Sequence, residues 1–132
     1  MRFKVVLLLV GMLVAGFSYG QRVELSEIKA PSHFDNIHVV KMATDANSSD
    51  FVIFIQGSVP LHKHLQHTES LYILEGAGEF YLGGKTFQVG AGDYIKVPQG
   101  VAHGVKVVSK KPMKVLSVQA PEFFGKDRHP VE

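Results

Sequence analysis

The chain has 132 residues, which is room for one domain built around one hydrophobic core. Its 14 Lys and Arg residues stand against 12 Asp and Glu residues, and this small excess disappears once Arg2 and Lys4 of the N-terminal segment are set aside. The balance argues against a nucleic-acid-binding protein, which would carry a basic stripe. The absence of cysteine excludes disulfides and restricts any bound metal to nitrogen and oxygen ligands.

Residues 1–20 are predicted to be a secretory signal peptide. Arg2 and Lys4 precede an unbroken apolar run, "VVLLLVGMLVA", and Ser18 and Gly20 are the small residues of a cleavage site before Gln21. The alternative is a retained membrane anchor, but the run is shorter than the roughly 20 apolar residues that span a bilayer. We therefore expect a periplasmic or secreted protein with no stable membrane insertion after cleavage.

The mature chain reads as β-strands almost throughout. Residues 22–28 ("RVELSEI") alternate between polar and apolar, and later strand-like runs are "IHVVKM", "FVIFIQG", "SLYILEG", "YIKV", "AHGVKVV" and "MKVLSVQA". Gly83 and Gly84, between two alternating runs, are the strongest hairpin signal in the chain. Because Gly or Pro separates the runs about every ten residues, residues 21–120 are predicted to form one all-β sandwich or barrel. Residues 121–132 contain two prolines and no periodicity, which indicates a C-terminal tail or flap.

Three histidines and a glutamate are predicted to meet at the mouth of such a barrel. Side chains two apart in a strand share a face, so His62 and His64 point the same way. Glu69 and His103 each begin an otherwise apolar face, where a carboxylate is costly to bury without a partner. Three imidazoles and one carboxylate suit a divalent transition metal such as iron, manganese, nickel or zinc.

The remaining histidines are harder to assign from the sequence. His67 shares the strand parity of Glu69, and its role is open between a fifth ligand, a proton shuttle and a residue on the rim. His33, His38 and His129 have no comparable neighbours and are expected at the surface.

The spacing of these residues resembles the two motifs of the cupin family. The residues that match the first motif, with one residue fewer than usual after the glycine, are Gly57, His62, His64, Glu69 and Gly76. Those that match the second are Gly92, Pro98, Gly100 and His103, with Val107 in the place of the family's asparagine. The resemblance implies a double-stranded β-helix, which is a jelly-roll barrel. It also implies that His62, His64, Glu69 and His103 are the metal ligands.

The resemblance leaves the reaction open, because cupins include dioxygenases, decarboxylases, lyases, isomerases and non-enzymatic binders. We expect a metalloenzyme acting on a small organic molecule, with oxygenation favoured because three histidines and one glutamate resemble the iron or manganese sites of such enzymes. The alternatives are metal-dependent binding of a sugar or carboxylate without turnover, and a site that is empty or purely structural. No catalytic residue beyond the ligands can be assigned, and His67 and Tyr72 are only weak candidates.

A homodimer is also expected. The N-terminal strands around Val23 and Val39 are apolar and would leave open edges on so small a barrel. The resemblance points the same way, since many cupins pair through this region.

Overall fold

The computed structural model describes residues 20–132, so the predicted signal peptide lies outside the described residues except for Gly20. No helix in this range is long and apolar enough to cross a membrane. The range contains one 3-10 turn, Leu25–Glu27, and ten strands. In chain order the strands are β1 (Ile37–Thr44), β2 (Ser49–Ile55), β3 (Ser58–Lys63), β4 (Thr68–Glu75), β5 (Ala77–Leu82), β6 (Lys85–Gly90), β7 (Tyr94–Val97), β8 (His103–Val107), β9 (Met113–Ala120) and β10 (His129–Pro130).

The strands form two five-stranded sheets whose neighbours all pair antiparallel. The first sheet has the order β1-β2-β9-β4-β7 and the second the order β10-β3-β8-β5-β6. Successive strands repeatedly cross from one sheet to the other, as in a jelly roll. The all-β jelly-roll barrel predicted from the sequence is confirmed.

The hydrophobic core lies between the two sheets. Alternating residues of each strand point inward, so the apolar faces recognised in the sequence meet one another. The buried core residues are Ile55, Leu71, Ile73, Phe80, Val89, Ile95, Val97, Val105, Met113 and Val115. This core fills only part of the barrel, and the end away from it contains polar side chains.

Glycine determines two of the turns. Gly83 and Gly84 join β5 to β6 with φ values of 55° and 91°, so the predicted hairpin is confirmed with the backbone of a type I′ turn. Gly76, between β4 and β5, has φ +79°, and a Cβ there would lie 2.8 Å from the Cα of Met113. Only glycine fits this close approach without displacing β9.

The predicted strand at residues 22–28 is wrong. This segment is irregular apart from the 3-10 turn, and none of its residues pairs with a sheet. Instead the buried Lys114 of β9 holds it, because its Nζ donates hydrogen bonds to the carbonyls of Leu25 at 2.6 Å and Ile28 at 2.8 Å. An alternating pattern does not lead to a strand when a side chain bonds to the backbone carbonyls that would otherwise accept hydrogen bonds from a neighbouring strand.

Residues 121–132, which we call the C-terminal strap, pack across one end of the barrel. Within the strap, β10 pairs with β3 so that Pro130 lies opposite His62. Val131 extends this pairing by donating its backbone N–H to the carbonyl of Leu61 at 3.1 Å. The strap therefore runs beside the strand that carries the first of the clustered histidines.

Candidate metal centre

Two neighbouring strands and the end of one of them bring three histidines together. His62 of β3 pairs directly with His103 of β8, and an irregularity in β3 between Val59 and His62 sets that register. His64 follows one residue after β3 ends and remains on the same side of the chain. All three residues are buried, and one ring nitrogen of each lies within 4.8 Å of the others.

Each of these rings has one nitrogen hydrogen-bonded to the backbone. The Nδ1 of His62 contacts the carbonyl of Pro60 at 2.9 Å, that of His103 contacts Val101 at 3.1 Å, and that of His64 contacts Asp127. A carbonyl only accepts, so each Nδ1 carries a proton, and in the neutral ring Nε2 keeps its lone pair. The Nε2 of His64 is buried with no hydrogen-bond partner.

Glu69 reaches the histidines from the opposite sheet. Its Oε2 lies 3.0 Å from the Nε2 of His103 and 3.5 Å from the Nε2 of His64. Its Oε1 accepts hydrogen bonds from Ser117 at 2.6 Å and from Gln119 at 3.3 Å. The two β9 side chains thus hold one carboxylate oxygen and leave the other facing the imidazoles. All four residues predicted to converge are brought together.

The protonation of the cluster follows from burial and from these contacts. Burial lowers the pKa of His62 to about 4, so this imidazole is neutral at physiological pH. Burial alone would also lower the pKa of His64, but the Glu69 carboxylate and the Asp127 carbonyl raise it above its ordinary value. Burial would raise the pKa of Glu69, but the close contacts of its carboxylate with His103, His64 and Ser117 hold it well below its usual range.

The chemistry of these four side chains fits a divalent metal. Three Nε2 lone pairs and an ionised carboxylate oxygen face a common space, and they repel one another unless a proton or a cation lies between them. Backbone carbonyls fix the ring orientations through Nδ1, which is the usual support of histidine ligands. Three buried histidines could therefore hold a metal ion, and the Glu69 carboxylate lies beside two of them.

A cavity of about 310 Å³ extends from the cluster into the barrel. Its walls come from both sheets and are mostly aliphatic and aromatic, with Ile53, Leu71, Phe80 and Val115 among them. This volume is at the lower end of the range for small-molecule sites, roughly 300–1,000 Å³. A molecule in the cavity would contact the histidine cluster at one end and apolar side chains elsewhere.

The structure places His67, whose role the sequence left open, against the C-terminal strap. It is buried and does not line the cavity. Its Nδ1 lies 2.6 Å from the Oδ2 of Asp127, and its Nε2 lies 3.0 Å from the carbonyl of Glu122. Both ring nitrogens are thus used to hold the strap.

The other weakly assigned residues lie away from the cluster. His33 is exposed as expected, whereas His38 and His129 are each half-buried. His129 donates through its Nε2 to the Oδ1 of Asp127 at 3.0 Å, so it also belongs to the strap contacts. Tyr72 is 43% exposed and lies on the face of β4 opposite Glu69, which removes it as a proton donor in the cavity.

The sequence reading missed five residues that shape the site, which are Ser117, Gln119, Phe123, Asp127 and Arg128. The first two had a detectable signal, because they share the strand parity of the buried Val115 and are therefore polar residues on an inward face. The three strap residues had no such signal, since the strap has no periodicity.

Comparison with known proteins identifies the family of this chain. The family model for the cupin domain matches residues 51–119, and the chain belongs to the cupin family. It is 33% identical over 98 residues to an uncharacterised protein of Aquifex aeolicus, covering 74% of this chain and 80% of that one. It is 27% identical over 96 residues to quercetin 2,3-dioxygenase of Bacillus subtilis, covering 68% of this chain but 28% of that enzyme.

A solved structure supports the fold. A double-stranded β-helix protein from Klebsiella pneumoniae matches with a TM-score of 0.72 and 21% identity, over 86% of this chain and 99% of that one. At this identity the similarity concerns the fold only.

Proposed function

We propose that the protein is a metal-dependent enzyme that oxygenates a small organic molecule, with His62, His64, Glu69 and His103 as ligands of one divalent transition metal. The observation that carries this proposal is the unpartnered Nε2 of His64, in a residue 2% exposed, at the end of an apolar cavity. Among iron, manganese, nickel and zinc, the proposed reaction disfavours zinc, because zinc has no redox chemistry.

In this proposal the histidines, Glu69 and the apolar walls of the cavity have separate roles. The three imidazoles hold the metal through Nε2, and Glu69 neutralises part of its charge. The bound metal supplies dioxygen activation or Lewis acidity. The apolar walls exclude bulk water and orient the substrate's carbon skeleton toward the metal.

The cavity lining favours oxygenation over lyase or isomerase chemistry. Lyases and isomerases need a protein group that moves a proton at the substrate. Apart from the four proposed ligands, the polar lining side chains in the described part of the chain are Ser117, Gln119 and Arg128. Ser117 and Gln119 donate hydrogen bonds to Glu69. The guanidinium of Arg128 does not give up its proton near neutral pH. The similarity to a dioxygenase over 68% of this chain adds support.

The same lining also favours a second candidate, which is metal-dependent binding of a small molecule without turnover. A binding protein needs no proton-transferring group, so the residues at the cavity fit it equally well. The two candidates share the metal and differ only in whether the bound molecule is converted.

We further propose that the protein acts outside the cytoplasm. The support comes from the basic start, the short apolar run and the small residues near position 20.

Metal analysis and oxygen uptake test the enzymatic proposal. We expect about one metal ion per chain in the purified protein, measured by elemental mass spectrometry. Most of this metal should be lost in His62→Ala, His64→Ala and His103→Ala. Glu69→Gln should lose less, because an amide oxygen can still coordinate. His67→Ala is the matched control, because this buried histidine is bonded only to the strap, and its metal content should stay near wild type.

Oxygen electrode measurements with a panel of small organic molecules then separate the two candidates. Metal-dependent oxygen consumption with one of them, absent in His64→Ala, supports the enzyme. Tight binding without oxygen consumption or product supports the binding protein. Retention of metal in all three histidine variants would contradict both.

A further inference from the structure

We propose that the molecule bound in this cavity is a small apolar carboxylate whose anionic group pairs with the guanidinium of Arg128. This inference rests on the proposed function only in that the same cavity takes the substrate. It names the substrate class and assigns a specificity-determining residue outside the metal ligands.

Arg128 lines the cavity, and no acceptor within residues 20–132 engages its side chain. Its one polar contact in that range is between Nη2 and the Nδ1 of His62 at 3.5 Å, the outer limit of a hydrogen bond. That nitrogen already donates to the carbonyl of Pro60 at 2.9 Å and therefore cannot accept. Within residues 20–132 no carboxylate forms an ion pair with Arg128. Its planar set of donors is thus free to bind an anion in two-point fashion.

The backbone of Arg128 is held firmly although its side chain reaches solvent. The side-chain carboxylate of the residue before it, Asp127, accepts hydrogen bonds from the backbone N–H groups of Leu65 at 2.9 Å and Gln66 at 2.8 Å. The residues after it form β10, whose Pro130 pairs with His62. With both flanks attached to the barrel, little backbone entropy is lost when the guanidinium engages a ligand.

The charges around the cavity favour an anion. Arg128 is the one lysine or arginine among the described lining residues, and Glu69 is the one carboxylate. A divalent metal with three neutral imidazoles and one carboxylate retains one positive charge, to which Arg128 adds a second. The cavity is therefore positive at its polar end and apolar along its walls, which matches a carboxylate on a hydrocarbon body.

The position of Arg128 shows which part of the ligand it would contact. It approaches His62 from the Nδ1 side, which is bonded to the carbonyl of Pro60, so the Nε2 on the other side of the ring is the nitrogen left to hold the proposed metal. A carboxylate paired with Arg128 is thus separated from the metal by an imidazole ring. The metal remains available to the reacting part of the same molecule.

Binding measurements with matched acids and amides test this inference. The probes are phenylacetate with phenylacetamide and hexanoate with hexanamide, each titrated by calorimetry into the metal-loaded full-length mature protein and into the metal-free form. We expect at least one acid to bind about tenfold more tightly than its amide, as for a charge-assisted hydrogen-bonded pair. Arg128→Gln should remove that preference without changing the amide affinity or the metal content. Arg128→Lys should restore part of it, and the exposed Lys126→Gln on the same strap is the matched control.

The outcomes separate this inference from the proposed function. If neither acid binds, or if Arg128→Gln keeps the full preference for the acid, the metal or nothing recognises the carboxylate and the inference is wrong. If the acids bind through Arg128 but no oxygen is consumed with any substrate, the inference stands and the enzymatic proposal fails. If neutral molecules are oxygenated at the same rate by wild type and Arg128→Gln, the enzyme stands and the inference fails.

Discussion

At the scale of single residues, each side chain of the site has one polar atom hydrogen-bonded to the rest of the protein and a second one directed to the cluster. In all three clustered histidines Nδ1 donates a hydrogen bond to a backbone carbonyl, which leaves Nε2 as the nitrogen available to a metal. In Glu69 one oxygen serves the fold through Ser117 and Gln119, and the other faces the histidines. The backbone thus fixes the orientation of the donor atoms before any metal binds, which reduces the entropy lost on binding.

The support of Glu69 leads to a first prediction. Ser117→Ala removes the 2.6 Å hydrogen bond to Oε1 and lets the carboxylate rotate away from the histidines. We expect metal affinity to fall by about tenfold or more, the usual effect of losing a partner behind a ligand. Competition with a chromophoric chelator measures it. Ser70→Ala, on the outer face of the same sheet, should leave the affinity unchanged, and equal losses in both variants would contradict this role.

The pKa shifts lead to a second prediction, on the pH dependence of metal binding. The raised pKa of His64 means that the metal-free site keeps a proton above pH 6.5, and metal must displace it. Affinity should therefore fall about tenfold per pH unit as pH is lowered from above 6.5 to about 5, with proton release on binding. His62 should compete with metal only near its pKa of about 4. An affinity that is flat across this range, by the same competition method, would contradict the prediction.

At the scale of elements, the C-terminal strap is part of the site. Its Phe123 packs edge-on against the ring of His64 with a centroid separation of 5.8 Å and also lines the cavity. The carbonyl of Asp127 orients His64, and Arg128 faces the cavity mouth. A segment with no strand pattern of its own thus supplies one wall and one ligand support.

The Asp127 side chain anchors the strap, which gives a third prediction. Its carboxylate is 10% exposed. It accepts hydrogen bonds from the backbone amides of Leu65 and Gln66 and from the side chains of His67 and His129. Hydrogen bonds from His67 and the Gln66 and Leu65 amides lower its pKa well below the usual range, although burial opposes this. Asp127→Ala leaves these donors without an acceptor, so we expect about 2 kcal/mol less unfolding free energy in urea.

Hydrogen exchange locates the effect of this substitution. The amides of Leu65 and Gln66 should exchange faster in Asp127→Ala, because they lose their acceptor. Asp35→Ala, at an exposed position before β1, is the matched control and should change neither quantity. Unchanged exchange at both amides in Asp127→Ala would show that the strap is held by other contacts.

At the scale of the whole molecule, the exposed apolar side chains of β1 support the expected homodimer. Strand β1 is an edge of its sheet, and Val39 on it is 51% exposed. Val39 and Ile37 also line the cavity, so a second copy at this edge would close it. We expect a dimer by light scattering at micromolar concentration, and a shift to monomer in Val39→Glu. Tyr94→Glu, on the opposite edge strand β7, is the control and should remain dimeric, whereas a monomeric wild type would contradict the prediction.

Export of the protein is a separate prediction about the whole chain. The mature form is expected to begin near Gln21, because a basic start, a short apolar run and small residues precede it. Intact-mass measurement of the protein made by its own host checks this. Recovery of the chain with Met1 still attached, in a membrane fraction, would overturn it.

The amino-acid sequence by itself determined the elements and the donor set. Alternation, turn glycines and the spacing of His62, His64, Glu69 and His103 are local patterns, and each reflects a rule that acts over a few residues. Strands β7 and β9 therefore have the bounds that the runs "YIKV" and "MKVLSVQA" predicted. The strand expected at residues 22–28 does not form. Its carbonyls are bonded instead to Lys114, which is distant in the sequence and could not be recognised from a local pattern.

Only the tertiary structure decided what surrounds the donors. Ser117 meets Glu69 across 48 positions of the chain, and Asp127 meets His64 across 63. Such pairs are set by how two sheets and a strap pack, and the strap has no periodic pattern that would predict where it lies. The role of His67 was decided in the same way, because its strand parity was compatible with the mouth of the barrel while both its nitrogens contact the strap. Local pattern thus specified the candidate ligands, and long-range packing specified the cavity that they face and the arginine that lines it.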